Sequence, residues 1–395
     1  MIEVIKCIEK RIEKLMYFMK EKNLDFIIIS NPENIFYYTN FNPIIYSNPP
    51  FVIIKKTGEC ILLLHSIRKF HAEGSKNIFG KILFYGFWGE TQSIGKTFQE
   101  ALIKIVGITK IKLGIEMENL NLKLFLELKE KLNIENIFDV TGFIKQQRII
   151  KDIYEIDCIR KAAELSDLGV KTVIKYLEIG YSELEACTEA HYQMRKRWQE
   201  KYSDYEVSGF GTKENGQIDS LNVWCMSNER IIYGCDCPIN YKVKKGDLIL
   251  PMAWARIGGY AAETERTIFV KELTEEKSKL FETVLATRDK IFSMIKPNII
   301  VENLYIEAIK IFIEKGFEKV LPGRIGHGIG LSTHGFPSIT LGNKEILKEN
   351  MVLTIEPGIM MKDYGIRHSD TILITKDGFE FLTNLERGKI KINKE

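Results

Sequence analysis

Short apolar runs alternate with amphipathic stretches through the first third of the chain. Residues 26–29, 51–54, 60–64, 82–85 and 112–115 have the length and β-branched content of buried strands, whereas 93–106 and 122–132 carry apolar positions at helical spacing. The stretch from Met1 to Lys22 places Val4, Ile8, Ile12, Leu15, Met16 and Met19 on one face of an otherwise charged helix. Strands interleaved with helices in this way predict an α/β domain over residues 1–150.

A charged, apolar-poor crossing over residues 145–154 marks the domain boundary. Beyond it, Ile156, Ile159, Ala163, Leu165, Val170 and Val173 begin a long helical pattern. Ser182 followed three residues later by Glu185 predicts a helix start, because each side chain can satisfy a first-turn amide, and that helix runs to about Trp198. Thr274 opens another helix that ends before Pro297, and a third spans about 303–315. Strand-like runs at 247–252, 266–270, 352–355 and 371–374 lie among turn residues. Residues 151–395 are therefore expected to form an α+β domain, with helices laid on one strongly bent antiparallel sheet.

Composition adds boundaries to this picture. A chain of 395 residues, 45% hydrophobic and 28% charged, has enough apolar material for two cores. Its 56 basic and 53 acidic residues are interspersed and leave a net charge of +3, so no basic stripe suited to a phosphate backbone is present and a nucleic-acid partner is not expected. Seven cysteines, an odd number without CxxC spacing, suit reduced thiols in a cytoplasmic protein. No run of 18 apolar residues occurs, so no membrane-spanning helix is expected.

The unusual polar residues concentrate in a few short segments, Tyr233 to Pro238, Gly259 to Thr267, Gly326 to His334, Thr354 to Gly358 and Gly365 to Asp370. Glu263 and Glu265, two apart before a strand-like run, would share one face of an extended segment, where mutual repulsion suits one of them to acid/base work. The plainer reading pairs them with Arg266 or a lysine at the surface. His327 stands between glycines, where backbone can approach a ligand closely, and His334 follows seven residues later. Glu356, between an apolar run and Pro357-Gly358, is a charge at the end of a buried strand, which requires a partner or a task.

In their order and spacing the last four of these segments, with Gly246-Asp247, resemble the pita-bread fold shared by creatinases, prolidases and methionine aminopeptidases. The resemblance implies a carboxy-terminal pita-bread domain preceded by a smaller creatinase-type α/β domain, in a homodimer whose amino-terminal domains close over the partner pockets. In the metallopeptidase branch two Asp, one His and two Glu hold two metal ions, and those positions fall here on Met252, Glu263, His327, Glu356 and Ser369. A thioether and a hydroxyl replace two carboxylates, so a working metal pair is not expected, although Glu263 with His368 or Asp370 could take a single ion.

The creatinase branch, which works without metal, uses two glutamates to grip a guanidinium, and these correspond to Glu265 and Glu356. Its catalytic histidine is replaced by Cys235, a candidate nucleophile or acid, with His327 and His334 supporting proton transfer. Of its substrate anchors, the aromatic corresponds to Tyr46, while both arginines are lost at Asn48 and Ser338; Arg256 or Arg324 is the substitute cation and Trp254 a pocket wall. The expected function is a metal-independent, creatinase-like hydrolase, without a cofactor, acting on a C–N bond of a small amidine, ureido or amide compound. The alternatives are a metal-dependent Xaa-Pro peptidase and a non-catalytic binding protein.

Overall fold

The computed structural model describes residues 4–44, 46–107, 110–210 and 219–393. The chain forms two compact units, the first running to Arg148 and including Gly209 and Phe210, the second comprising Ile149–Ser208 and the chain from Asp219 onward.

The first unit opens with α1 (Val4–Lys22), β1 (Phe26–Ile29) and α2 (Pro32–Thr39), then β2 (Phe51–Lys55), β3 (Cys60–His65), α3 (Lys69–Gly74) and β4 (Lys81–Tyr85). It continues through α4 (Phe98–Val106), β5 (Ile111–Ile115), α5 (Leu122–Lys131), β6 (Ile134–Asp139) and α6 (Thr141–Ile149). The sheet order is β4-β3-β2-β1-β5-β6, antiparallel only across β1–β2 and β2–β3. Five of its six strands, β1 to β5, are those that the apolar runs predict. Two stretches differ. The helix expected from residue 93 begins at Phe98, because Thr97 caps it by accepting the Glu100 amide at 3.2 Å. The charged crossing is largely helical, since α6 runs through it to Ile149 and buries Ile144 despite its polar composition.

The second unit begins with α7 (Ile153–Glu178) and α8 (Glu183–Lys201). Both carry reciprocal caps, Asp152 with Glu155 and, as predicted, Ser182 with Glu185. Then follow β7 (Leu221–Ser227), β8 (Leu248–Ile257), β9 (Tyr260–Arg266), β10 (Ile268–Val270), α9 (Glu275–Met294) and α10 (Val301–Glu314). The remaining strands are β11 (Gly326–Gly328), β12 (Gly335–Ser338), β13 (Val352–Ile355), β14 (Gly358–Met360), β15 (Gly365–Ile374), β16 (Phe379–Phe381) and β17 (Ile390–Ile392). Among the described residues they build one sheet of order β12-β11-β13-β15-β9-β8-β10-β17, with β7 on β8 and β14 and β16 on β15. Pairing is antiparallel as expected, except that β17 joins β10 in parallel. The α7 helix packs on β8 and β9. Gly169 allows this approach, because a Cβ there would lie 2.7 Å from Met194 Sδ and 3.0 Å from Ala253 Cβ.

Strand register decides which side chains meet. Met252 of β8, Glu265 of β9 and Ser369 of β15 are cross-strand neighbours, and Trp254 pairs with Glu263. Alternation puts these on one face together with Arg367, and turns Thr264, Arg266, His368 and Asp370 to the other. On that second face the fully buried Arg266 guanidinium donates to Asp370 Oδ1 at 2.6 Å and to the Ser369 carbonyl at 2.7 Å. Replacing Arg266 with Met should leave Asp370 as a buried, weakly compensated charge and lower unfolding free energy by about 3–5 kcal/mol. A chemical denaturation midpoint unchanged from wild type would refute that accounting.

Candidate active site

Glu263 is held from both sides by its strand neighbours. Ser369 Oγ donates to Oε1 at 2.6 Å, and the Trp254 indole Nε1 donates to Oε2 at 2.9 Å. His327 arrives on β11, paired with β13, and Glu356 follows the end of β13. The glycines around His327 serve the sheet, contrary to the expectation of ligand access. A Cβ on Gly326 would lie 2.2 Å from the Thr354 carbonyl oxygen, and one on Gly328 2.1 Å from that of Phe336.

His327 Nδ1 lies 3.0 Å from the Gly328 carbonyl oxygen, which can only accept, so Nδ1 carries the proton and Nε2 presents a lone pair. Burial pushes the His327 pKa below its ordinary value, although the nearby Glu356 opposes this. Nε2 faces Glu356 Oε1 at 3.4 Å and Glu263 Oε2 at 3.8 Å, and both Nε2 and Glu356 Oε1 are buried without a hydrogen-bond partner. Acceptors aimed at one another need a shared positive charge. Ligand atoms of Glu263, His327 and Glu356 all lie within 4.8 Å of one another, a donor set that fits one divalent cation, with Nδ1 anchored as a ligating imidazole requires.

Glu265 stands outside this group. Arg367 pairs with it, Nη2 donating to Oε1 at 2.9 Å and Nε lying 2.5 Å from Oε2 as an ion pair without a hydrogen bond. Burial pushes the Glu265 carboxyl up, Arg367 opposes this, and the charges of Glu263 and Glu356 add to the rise. Glu356 is likewise raised, by burial and then by Glu263, against His327, Arg367 and Arg324. Beside these groups opens a cavity of about 630 Å³ lined by Arg324, Ser338, Thr340, Glu356, Met360 and Arg367 among others. Arg324 is partly exposed and lies 3.3 Å from Glu356.

The site thus brings together Glu263, Glu265, Glu356, His327 and Trp254. His334 is exposed beside His327, their rings 4.7 Å apart. Trp254, expected as a pocket wall, is instead a hydrogen-bond donor to a carboxylate. Arg256 is not a substrate anchor, since its buried guanidinium donates to the carbonyls of Gly259 at 2.7 Å and Leu331 at 2.5 Å. Tyr46 belongs to the first unit, buried, with its hydroxyl 3.2 Å from Asn42 Oδ1. His368 and Asp370, considered as alternative ligands, face Arg288 and Arg266 on the other side of the strand. The sequence does not by itself assign Arg367 and Ser369 as partners of the two glutamates. Their spacing of two within a strand was the available signal.

Comparison with known proteins agrees with this architecture. Residues 157–376, more than half of the chain, match metallopeptidase family M24, and residues 11–150 match the creatinase/prolidase N-terminal domain. The chain belongs to the M24 family. An Xaa-Pro dipeptidase of Pyrococcus horikoshii is 30% identical over 383 residues, covering 96% of this chain and 98% of the relative. The Xaa-Pro dipeptidase of Pyrococcus furiosus is 29% identical over 380 residues, 96% and 99% of the two chains. The crystal structure of the Pyrococcus horikoshii prolidase superposes with a TM-score of 0.81 at 27% identity, covering 96% of this chain and all of that one.

These findings overturn the expectation of a metal-independent, creatinase-like hydrolase of non-peptide C–N bonds. The relatives are named as dipeptidases, and the family as metallopeptidases. The geometry supplies the physical reason. Glu265, cast as half of a grip on a substrate guanidinium, already holds the guanidinium of Arg367, and Glu356 faces His327 within the cation-binding group.

Cys235, cast as a nucleophile or acid in that reading, is an exposed free thiol. Burial of part of the side chain raises its pKa above the ordinary 9.0; Arg367 lowers it and Glu265 raises it further. A nucleophilic thiol needs the thiolate, which this environment disfavours. Alkylation of Cys235 by iodoacetamide, followed by peptide mass spectrometry, should stay slow at neutral pH and accelerate only above pH 9. Rapid labelling at pH 7 would restore it as a reactive residue.

Proposed function

We propose that the chain is a metal-dependent peptidase of the Xaa-Pro dipeptidase type, hydrolysing dipeptides or short peptides with proline in second position. The observation that carries this reading is the convergence of the unpartnered His327 Nε2 with the carboxylates of Glu263 and Glu356. The names of the relatives support the substrate class. Glu263, His327 and Glu356 would hold the cation, which when bound polarises the scissile carbonyl and makes bound water a nucleophile at neutral pH.

The other side chains bind and orient. Trp254 and Ser369 fix both oxygens of Glu263. Arg324, at the cavity and partly exposed, is placed to receive the carboxylate terminus of a dipeptide by charge-assisted hydrogen bonds. His334, exposed beside His327, offers a hydrogen bond to substrate groups at the rim. Seven free cysteines and the absence, among the described residues, of a helix long and apolar enough to cross a membrane support work in a reducing cytoplasm. A homodimer is part of the proposal by family resemblance.

The test is hydrolysis of a dipeptide panel, including Met-Pro, Leu-Pro and Gly-Pro, by chelator-stripped protein with and without added manganese or cobalt. Cleavage that requires the metal and is abolished in Glu356→Gln is the expected result. No cleavage with any metal, or full activity in excess chelator, would reject the reading. In the active preparation, Arg324→Ala should raise KM by about 10–100-fold while kcat falls less, as loss of one or two hydrogen bonds to a charged group predicts. An unchanged KM would remove Arg324 from substrate binding.

A further inference from the structure

We infer that this chain binds a single divalent cation, and that the guanidinium of Arg367 supplies the fixed positive charge that a second cation would otherwise provide beside Glu265. The inference deepens the peptidase reading and rests on it for the cation class, while its test counts ions and does not require turnover.

Three buried carboxylates, Glu263, Glu265 and Glu356, crowd one face of the sheet. Only two of them join His327 in the one group of ligand atoms, among the described residues, close enough to share an ion. The third already faces a cation, Oε1 of Glu265 accepting a hydrogen bond from Arg367 Nη2 and Oε2 lying in ion-pair contact with Nε. The groups flanking Glu265 on neighbouring strands cannot complete a second hard-cation shell. Met252, its partner on β8, offers only a thioether, and Sδ lies 3.6 Å from Arg367 Nη2. Ser369, its partner on β15, offers a hydroxyl whose proton is donated to Glu263. Divalent cations of this class need anionic or imidazole ligands to displace their water, and here the place has one carboxylate, one thioether and one hydroxyl around a guanidinium.

The charges then balance by two different means. Glu263 and Glu356 face a site open to an exchangeable ion, whereas Glu265 faces a cation tethered to the chain and charged at any working pH. A chelator can remove the first charge and cannot remove the second.

The experiment strips the full-length protein with a chelator, titrates it with Mn²⁺ alone, and measures bound manganese per chain by elemental mass spectrometry, with electron paramagnetic resonance of the loaded protein. One ion per chain, with the resolved hyperfine pattern of an isolated Mn²⁺, is expected. Two ions per chain, an exchange-coupled spectrum, or no bound ion would each overturn the inference. Glu263→Gln should lose the bound ion, and Glu265→Gln should keep it; loss in Glu265→Gln would make that residue a ligand and overturn the assignment. The wild-type count decides the matter even where a variant fails to fold. One bound ion without cleavage of any dipeptide would leave this inference standing and reject the peptidase reading, whereas cleavage by a protein holding two ions would do the reverse.

Discussion

The concentration of negative charge on one face of the bent sheet is the constraint from which the site follows. Glu263, Glu265 and Glu356 are all buried, and charges in such surroundings persist only where positive charge and hydrogen-bond donors meet them. Arg367 answers Glu265, Trp254 and Ser369 answer Glu263, and Arg324 approaches Glu356 from the solvent side. His327 Nε2 is left without a donor, facing Glu356 Oε1, the oxygen that Arg324 Nε also approaches. The structure is therefore asymmetric in its neutralisation, permanent at Glu265 and incomplete at the histidine.

Two arginines on neighbouring strands illustrate how closely this depends on register. Arg266 and Arg367 belong to adjacent strands, yet alternation sends Arg266 to Asp370 and Arg367 to Glu265, on opposite faces. A slip of one residue between β9 and β15 would exchange the faces and bring like charges together. Pairing of β9 with β8 on one side and β15 on the other leaves little freedom for that slip, and the first face stays available for chemistry while the second is a structural ion pair.

Membership in a metallopeptidase family and an altered ligand set are compatible once fold and site are separated. The scaffold of strands places Met252 and Ser369, a thioether and a hydroxyl, beside Glu265. What changes is the source of positive charge, because a side-chain guanidinium of fixed position can stand beside a carboxylate where an ion cannot find enough ligands.

Much of this protein was legible from the residue pattern. The inner strands of the first unit, the capping box of α8, the start of α9 at Thr274 and the shared face of Glu263 and Glu265 all rest on local rules, strand alternation and first-turn hydrogen bonding, which neighbouring residues suffice to determine. The segments carrying Glu263, His327 and Glu356 were also visible, because charged or imidazole side chains stand out beside apolar strands. Their meaning was not. That Arg367 rather than a substrate faces Glu265 depends on the pairing of strands 102 residues apart, and the freedom of His327 Nε2 depends on which carbonyl its other nitrogen meets. Arg256 likewise looks available in the sequence and is enclosed by carbonyls of the turn at Gly259 and of Leu331. Composition and spacing determine which charges are present and on which side of a strand they stand; only the folded sheet decides which charge meets which, because electrostatic and hydrogen-bond energies depend on distances that close when remote segments pack.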